Sequence, residues 1–532
     1  MCWINNTRRL LKTLACSVLS FCAVSQTPKL VVWITVDQMR YEMLHRYKHR
    51  WTTNGIKRFT DSGFVFNNAH YNYVPTYTGP GHASLFTGTT PRVHGIVGNH
   101  WYSRSKAKMV YCTNDTVLKN QPSPQHLQSS TIGDELRLSN SNNSKVIAVS
   151  LKDRSAIFPA GRHGNAAYWF DEHHMQFITS AWYMQSLPKW VNTFNKNLNI
   201  YDRVKKGWKP YYALSTYTAS TPDTMSFEAS PTGSARAVFP YEYLKTDAPG
   251  TWIKGSPQGN ALVTDFAMEA INAEALGTDS YCDLLSISYS STDIIGHATG
   301  PRSVETEDTY IRLNIEFEKL FSFLDARIGA EHYIVILSAD HGAAEVPKFL
   351  IDQNIPAGLL TDDNVLQQLK RYCQIHFKDS TLVEHVCNHN IYLKSEVSSN
   401  VPKIQLINSL RFALTQLQGI AQVFNADEII QATGSDVSSI MQIHNGFMPE
   451  HSGDLVYTLK PQWMDHESKG TTHGSGYNYD THVPLLFVGF GISKGHSFEH
   501  VNITQIASTL AELLHICKPS GCTALPLNAL LR

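Results

Sequence analysis

Five short runs of apolar residues, rich in Val, Ile and Leu, are spread along this chain of 532 residues, and four of them end just before ionisable side chains. The runs are Leu30–Val36, Lys145–Val149, Leu284–Ser288, Tyr333–Leu337 and Val483–Val488. Runs of this length suit strands that are buried on both faces of a parallel sheet. Helix-like stretches such as Thr309–Ala326 lie between them. The sequence therefore predicts an α/β fold with a central, mostly parallel sheet flanked by helices.

Two stretches interrupt this series of strands. Residues from about 168 to 259 are rich in aromatic, Ser, Thr and Pro residues. Residues from about 347 to 427 contain helix-like segments at 365–377 and 401–417 around a strand-like segment at 390–393. We predict one catalytic domain over residues 26–532, with an aromatic-rich insertion in the first stretch and a small α/β cap in the second.

The N-terminus has the composition of an export signal. A basic segment with Arg8, Arg9 and Lys12 precedes the apolar stretch Leu14–Val24, and Ala23–Ser25 offers a small-residue cleavage site. The apolar stretch is shorter than the roughly 20 residues that a membrane-spanning helix needs. We therefore predict a signal peptide at residues 1–25 and an exported protein, periplasmic or secreted, with no stable membrane insertion after the signal is removed.

Charge and cysteine content narrow the possible classes further. Lys plus Arg and Asp plus Glu both number 45, so the chain lacks the basic excess that is typical of nucleic-acid binders, and no nucleic-acid partner is expected. Six cysteines follow the predicted signal, an even number that permits disulfides in an exported protein. Cys517 with Cys522 and Cys373 with Cys387 are candidate pairs, but the sequence leaves the connectivity open.

Carboxylates and imidazoles collect at the ends of the predicted strands. Asp37 follows the first run, Asp293 the third and the pair Asp340–His341 the fourth, while His297 comes four residues after Asp293. A spacing of four places two side chains on one face of a helix. Because functional groups in such folds gather beyond the carboxyl ends of the strands, we expect these side chains to meet. Mixed Asp and His ligands favour Zn²⁺, although Mn²⁺ and iron accept similar ligands.

A hydroxyl residue precedes small residues and Pro in the segment Tyr77–Gly88. We predict that Thr78 starts a helix, because the N–H groups and the dipole at a helix N-terminus favour a bound phosphate. A Thr hydroxyl is a weak nucleophile until it is deprotonated, and metal coordination achieves this near neutral pH. The alternative is that Thr78 is an ordinary N-cap. The metal-type residues elsewhere in the chain favour a nucleophile.

Taken together, these segments resemble the alkaline phosphatase superfamily, and within it the PafA-like periplasmic phosphomonoesterases. The segments that carry the resemblance follow the order of the family and span most of the chain: Val36–Arg40, Pro75–His82, Gly95–Asn99, Leu151–Arg154, Thr292–His297, Ser338–Gly342 and Thr472–Ser475. The resemblance implies an alkaline-phosphatase-like sheet with inserted cap regions. It also implies zinc-dependent hydrolysis of small-molecule phosphate monoesters.

The resemblance further implies a role for each matching residue. Two zinc ions are expected per chain, one held by Asp293, His297 and His473 and the other by Asp37, Asp340 and His341, with the Thr78 oxygen directed towards the second. Thr78 is expected to form a phosphothreonine intermediate. Asn99, Lys152 and Arg154 are expected to contact the phosphoryl oxygens. His482 is the alternative to His473 as the third ligand of the first ion.

Three other functions are alternatives to phosphomonoester hydrolysis. A phosphodiesterase of the same superfamily has a similar nucleophile and similar ligands, but the two cations Lys152 and Arg154 suit the more highly charged monoester. A sulfatase needs Cys or Ser where this chain has Thr78. A non-catalytic binding protein on the same scaffold is expected to have lost the nucleophile or a ligand, and all of these residues are present.

Overall fold

The computed structural model describes residues 27–234, 236–245, 247–394, 401–435 and 438–531. The predicted signal peptide, residues 1–25, lies outside these described residues. Within the described ranges, no helix combines the length and the apolarity that crossing a membrane requires.

A ten-stranded sheet forms the centre of the molecule. In chain order its strands are Leu30–Val36, Phe64–His70, Val146–Ser150, Ala166–Asp171, Gln176–Ile178, Asp283–Tyr289, Tyr333–Ser338, His482–Gly489, Gly495–Ser497 and Val501–Asn502. Leu30–Val36 pairs in parallel with Asp283–Tyr289 on one side and with Tyr333–Ser338 on the other. All seven of its residues are buried, as expected for a strand that is covered on both faces. The predicted α/β fold is confirmed.

The last of the five apolar runs departs from the parallel arrangement. The strand His482–Gly489 pairs antiparallel with both Tyr333–Ser338 and Phe64–His70, so the sheet is mixed. A buried apolar run has the same composition in either direction, and the sequence pattern therefore could not reveal this reversal. One consequence is that the start of this strand, rather than its end, lies at the sheet edge where Asp340 follows Ser338.

Helices and short paired strands surround the sheet. The helices are Met43–Arg46, Ile56–Ser62, Thr78–Thr87, Pro91–His94, Ile132–Ser139, Arg154–Ala160, Lys189–Asn197, Ile200–Val204, Pro249–Lys254, Pro257–Ala273, Ser291–Thr299, Val304–Arg327, Pro347–Ile351, Asn478–Thr481 and Gln505–Leu514, with 3₁₀ turns at Lys48–Arg50, Leu214–Thr216 and Ser380–Leu382. The short paired strands are His100–Ser103 with Lys108–Tyr111, Asn114–Asp115 with Gln121–Pro122, and Gly358–Leu359 with Trp463–Met464.

The aromatic-rich stretch from about 168 to 259 begins inside the sheet strand Ala166–Asp171. Trp208 and Tyr241 from this stretch are buried in the same core as the central strands. The Trp208 indole N–H donates to Asp308 Oδ2 at 2.7 Å, which ties the stretch to the helix Val304–Arg327. The stretch therefore shares the core of the sheet.

The predicted small α/β cap has a sheet and a core of its own. Its antiparallel strands are, in spatial order, Val383–Cys387, Asn390–Leu393, Leu455–Leu459 and Ile420–Asn425, and its helices are Asp362–Phe377, Lys403–Thr415, Ala426–Ile430 and Ser439–Gly446. The strand Leu455–Leu459 lies between two earlier strands, so the unit extends beyond the predicted boundary near residue 427. Pairing between strands that are distant in the chain was not visible in the sequence.

Neither candidate disulfide is formed among the described residues. All six cysteines after the predicted signal are free thiols, with Cys373 and Cys387 buried and Cys517 exposed.

Candidate active site

The predicted ligands meet at one edge of the central sheet. Asp37 follows the strand Leu30–Val36, and Asp340 and His341 follow the neighbouring strand Tyr333–Ser338. Asp37, Asp340 and His341 are fully buried, and Asp293, in the first turn of the helix Ser291–Thr299, is 4% exposed. Parallel neighbours end at the same edge, which is why residues about 300 positions apart come together.

Asp37, Asp340 and His341 form one candidate metal cluster. His341 Nε2 lies 3.4 Å from Asp37 Oδ1 and 3.5 Å from Asp340 Oδ2. These two buried oxygens accept no hydrogen bond from the described residues. Buried polar atoms are nearly always paired. A cation between these three ligand atoms would satisfy both oxygens, so the residues fit a metal ion.

A second cluster forms around Asp293. Its Oδ1 lies 3.1 Å from His297 Nε2 and 3.6 Å from His473 Nε2. The rings of His473 and His341 stack with their centroids 3.5 Å apart, so the two clusters adjoin. Ligand atoms of Asp293, His341 and His473 also lie within 4.8 Å of one another. His341 therefore stands between the two clusters.

His482 lies apart from both clusters. Its Nε2 atom lies 3.0 Å from the Asn67 carbonyl oxygen, and its ring stacks on Tyr41 with a centroid distance of 4.3 Å. The structure thus brings His473, and not His482, to Asp293.

All three clustered imidazoles are held through the same ring atom. Each Nδ1–H donates to a backbone carbonyl, which leaves Nε2 as the lone-pair atom that faces the carboxylates. The carbonyl partners are Thr471 for His297 at 2.7 Å, Gly342 for His341 at 2.9 Å and Thr76 for His473 at 2.7 Å. This is how metal-binding histidines are usually oriented.

The buried charges at the site do not balance. The Lys152 ammonium contacts both Asp37 Oδ2 and Asp293 Oδ2 at 2.6 Å. Burial, reinforced by the Asp293 charge, raises the pKa of Asp37 to about 6, and burial with the Asp37 charge raises the pKa of Asp340 well above its usual range. Burial also acts to raise the pKa of Asp293, but the neighbouring His297 and Lys152 outweigh it and lower that pKa. One ammonium among three buried carboxylates leaves a negative charge that divalent cations would neutralise.

Thr78 begins the helix Thr78–Thr87, as the sequence predicted, and it is 1% exposed. Its Oγ1 atom lies 3.4 Å from His341 Nε2. The helix approaches the ligand segment closely because residue 81 is Gly: a Cβ atom there would lie 2.4 Å from the Asp340 carbonyl oxygen. The helix dipole and the Thr78 N–H at the start of this helix make it a favourable place for a phosphoryl group.

The predicted phosphoryl-binding residues border the clusters in different ways. Asn99 Oδ1 accepts the Gly79 N–H at 2.8 Å, which fixes its amide beside the first turn of the Thr78 helix. Arg154 Nη1 donates to the Tyr111 hydroxyl at 3.1 Å, and its side chain is 19% exposed. Lys152 is bound to the carboxylates of both clusters. The structure therefore brings Lys152 to the ligand carboxylates, and its contact with a phosphoryl group stays a prediction.

Two residues at the site received no catalytic or ligand role from the sequence. His82, expected to serve packing or orientation, donates from Nδ1 to the Thr78 carbonyl at 2.9 Å and lies 3.4 Å from Asp340 Oδ2. Burial lowers its pKa to about 3, so it is neutral. In the sequence, Gln38 is only part of the segment Val36–Arg40 that carries the family resemblance. In the structure, it hydrogen-bonds Asp293 and Asp340. Its position one residue after a strand-end ligand was the available signal.

Comparison with known proteins agrees with this geometry. The family model for type I phosphodiesterase / nucleotide pyrophosphatase matches residues 31–483. The chain belongs to this family of the alkaline phosphatase superfamily. The chain is 37% identical to alkaline phosphatase PafA of Elizabethkingia meningoseptica, over 94% of each chain. It is 38% identical to a protein from Myroides odoratus that is named a calcium-transporting ATPase, over 97% of this chain and 98% of that relative.

The fold agrees with a solved structure of a relative. The crystal structure of wild-type alkaline phosphatase PafA matches with a TM-score of 0.91 and 35% identity, covering 95% of this chain and 99% of that chain. The similarity therefore extends over the small α/β unit as well as the central sheet.

Proposed function

We propose that this chain is a zinc-dependent phosphomonoesterase that converts phosphate monoesters to alcohol and inorganic phosphate through Thr78. The observation that carries the proposal is the position of Thr78 Oγ1, buried at a helix N-terminus and 3.4 Å from Nε2 of His341, which belongs to one ligand cluster and stacks on His473 of the other. The full-length similarity to alkaline phosphatase PafA supports the same reaction.

The residues that would hold zinc are those of the two clusters: Asp293, His297 and His473 for one ion, and Asp37, Asp340 and His341 with the Thr78 oxygen for the other. Zinc bound there would neutralise the carboxylates and supply the Lewis acidity that activates a hydroxyl and a leaving alcohol. The uniform Nδ1 anchoring of the histidines and the two unpaired carboxylate oxygens support this choice of ligands.

The side chains of the chain itself account for the two halves of the reaction. Thr78 first releases its hydroxyl proton to water. Its oxygen then forms a bond to phosphorus as the bond from phosphorus to the alcohol oxygen breaks, and the departing oxygen takes up a proton from water, giving phosphothreonine and the free alcohol. Water then cleaves this ester, releasing phosphate and restoring the Thr78 hydroxyl. Asn99 and the Thr78 N–H hold the non-bridging oxygens. Arg154 is preorganised for the same task by its contact with Tyr111.

Two cations that follow the strand Val146–Ser150 favour a monoester over a diester. A monoester dianion presents three non-bridging oxygens, whereas in a diester a second alcohol occupies one of these positions. Arg154 offers a planar fork that matches two such oxygens. Lys152, two residues before Arg154 in the chain, supplies a second positive charge, and we propose that it stabilises the developing charge electrostatically from its position between Asp37 and Asp293.

The leaving group is proposed to be a small organic alcohol. A cavity of about 240 Å³ borders Tyr77 and His473, immediately beside the candidate site. Aromatic side chains such as Tyr457 and Trp463 line it, and the described lining residues include no Lys or Arg. Such a wall suits an uncharged or weakly polar group better than a second phosphate. Export to the periplasm or the medium is proposed from the predicted signal peptide.

The test is hydrolysis of p-nitrophenyl phosphate against bis-p-nitrophenyl phosphate by the zinc-loaded protein and by Thr78→Ala. We expect a strong preference for the monoester and loss of turnover in the variant. Preference for the diester would move the chain to the phosphodiesterases of its family. Zinc binding without turnover of either ester would support a binding protein instead.

A further inference from the structure

Gln38 lies between the two candidate metal clusters, directly after Asp37. It is 5% exposed, and its backbone φ is +67°. This left-handed conformation is uncommon for residues other than Gly. A buried residue that is held in such a conformation calls for an explanation from its contacts.

The contacts of Gln38 reach a carboxylate in each cluster. Its backbone N–H donates to Asp340 Oδ1 at 3.2 Å, and its side-chain Nε2 donates to Asp293 Oδ1 at 2.7 Å. The Met39 N–H donates to the Val36 carbonyl at 3.2 Å, so the chain turns sharply here. The turn is what lets one residue direct its backbone to one cluster and its side chain to the other.

The side-chain bond is made to the oxygen of Asp293 that faces the histidines. Asp293 Oδ1 is the atom near His297 Nε2 and His473 Nε2, while Oδ2 contacts Lys152. The Gln38 amide therefore fixes the rotation of this carboxylate. An amide suits the position because it donates a hydrogen bond without adding charge. A Glu would add a fourth carboxylate, and a Lys would compete with a metal ion.

Gly296 makes room for this amide. It lies in the helix Ser291–Thr299, one residue before His297. A Cβ atom at this position would lie 1.9 Å from Gln38 Oε1, far inside the contact distance. An alanine at position 296 therefore displaces the Gln38 side chain, although it leaves every ligand in the sequence unchanged.

We propose that Gln38, seated against Gly296, is a positioning residue that sets the metal affinity of the Asp293–His297–His473 cluster. The proposal rests on the zinc centre of the proposed function. Hydrogen-bonding partners of metal ligands typically contribute 10–100-fold to affinity or activity. Because the backbone N–H is retained in a side-chain variant, the effect of Gln38→Ala falls on the Asp293 cluster rather than on Asp340.

The experiment is zinc stoichiometry against a competing chelator for the parent, Gln38→Ala, Gln38→Gly and Gly296→Ala. We expect each variant to lose one of two ions at a roughly 10–100-fold lower chelator concentration, with the other ion held as in the parent. Gly adopts the left-handed backbone conformation without strain, so Gln38→Gly would keep the parental zinc affinity if residue 38 served only the turn. The exposed Gln416→Ala is the matched control and should behave as the parent.

Parental zinc affinity in both Gln38→Ala and Gly296→Ala would overturn the proposal. Turnover that recovers at high zinc concentration, with kcat restored, would support it. Thermal unfolding of the variants establishes that they are folded. If Gln38→Ala does not yield folded protein, the zinc affinity of Gly296→Ala is the deciding measurement. A parent that binds two ions but hydrolyses no monoester would contradict the proposed function without touching this inference, because the readout is bound metal.

Discussion

Gly81→Ala tests how precisely Thr78 must be placed against the ligand segment. Gly81 lies in the first turn of the helix Thr78–Thr87, and a Cβ atom there would lie 2.4 Å from the Asp340 carbonyl oxygen and 3.0 Å from its carbonyl carbon. Ordinary contact begins at 3.4 Å, and the obstructing atoms are backbone, so the helix must retreat by about 1 Å. Thr78 Oγ1, which lies 3.4 Å from His341 Nε2, retreats with it.

A displacement of about 1 Å is expected to cost on the order of 10²-fold in kcat/KM, or about 2.7 kcal/mol of transition-state free energy. Helix propensity alone favours Ala over Gly by about 1 kcal/mol, so a weaker helix would not explain the loss. The assay is p-nitrophenyl phosphate hydrolysis at saturating zinc, with thermal unfolding in parallel.

Gly133→Ala is the matched control for this experiment. Gly133 also lies in a helix, but its added Cβ would meet only side chains, Val146 Cγ1 at 2.8 Å and Leu284 Cδ2 at 3.4 Å. Both residues lie near the start of their strands, at the end of the sheet opposite to Lys152. This variant should keep the parental kcat/KM. Full activity in Gly81→Ala would refute the argument that the helix and the Asp340–His341 segment must approach this closely.

Three further outcomes are expected. Arg154→Ala should lower kcat/KM for p-nitrophenyl phosphate by about 10²–10³-fold and for the diester much less, and equal losses would argue against a role in monoester recognition. His473→Ala should lose one of two zinc ions while His482→Ala keeps both, as measured by metal analysis after chelator washing; the reverse result would exchange their roles. Burial, with the charge of Glu305, raises the pKa of Glu228 to about 9, above its ordinary 4.5, so the folded state gives up stability as the pH rises from about 4.5 to 9. Glu228→Gln removes this loss, so its free energy of unfolding relative to the parent should rise by up to about 1.4 kcal/mol per pH unit over that range. The difference in melting temperature between variant and parent should grow accordingly, and a difference that is independent of pH would contradict the assignment.

The sequence predicted the framework well because burial on both faces leaves a strong pattern. Strands such as Leu30–Val36 are almost wholly apolar, and their ends are marked by residues such as Asp37 and Asp340. The direction of the strand His482–Gly489 was not predictable, because an apolar run has the same composition in a parallel and in an antiparallel strand. The membership of Leu455–Leu459 in the small unit depends on pairing with distant strands, which composition does not encode either.

At the site, residue types were predictable and their mutual arrangement was not. The clustering of Asp293, His297 and His473 followed from the resemblance to a known family. The bridging position of His341 depends on a stacking contact with His473, and the role of Gln38 depends on a left-handed backbone conformation. Both arise from tertiary geometry and leave no periodic signal in the chain.

In the proposed reaction, Thr78 carries the phosphoryl group during turnover. The most direct measurement is an acid quench of the zinc-loaded protein during p-nitrophenyl phosphate hydrolysis, followed by peptide mass spectrometry. We expect one added phosphoryl group on the peptide that contains Thr78, and none in Thr78→Ala. Continued turnover by Thr78→Ala, or a phosphoryl group on another residue, would contradict it.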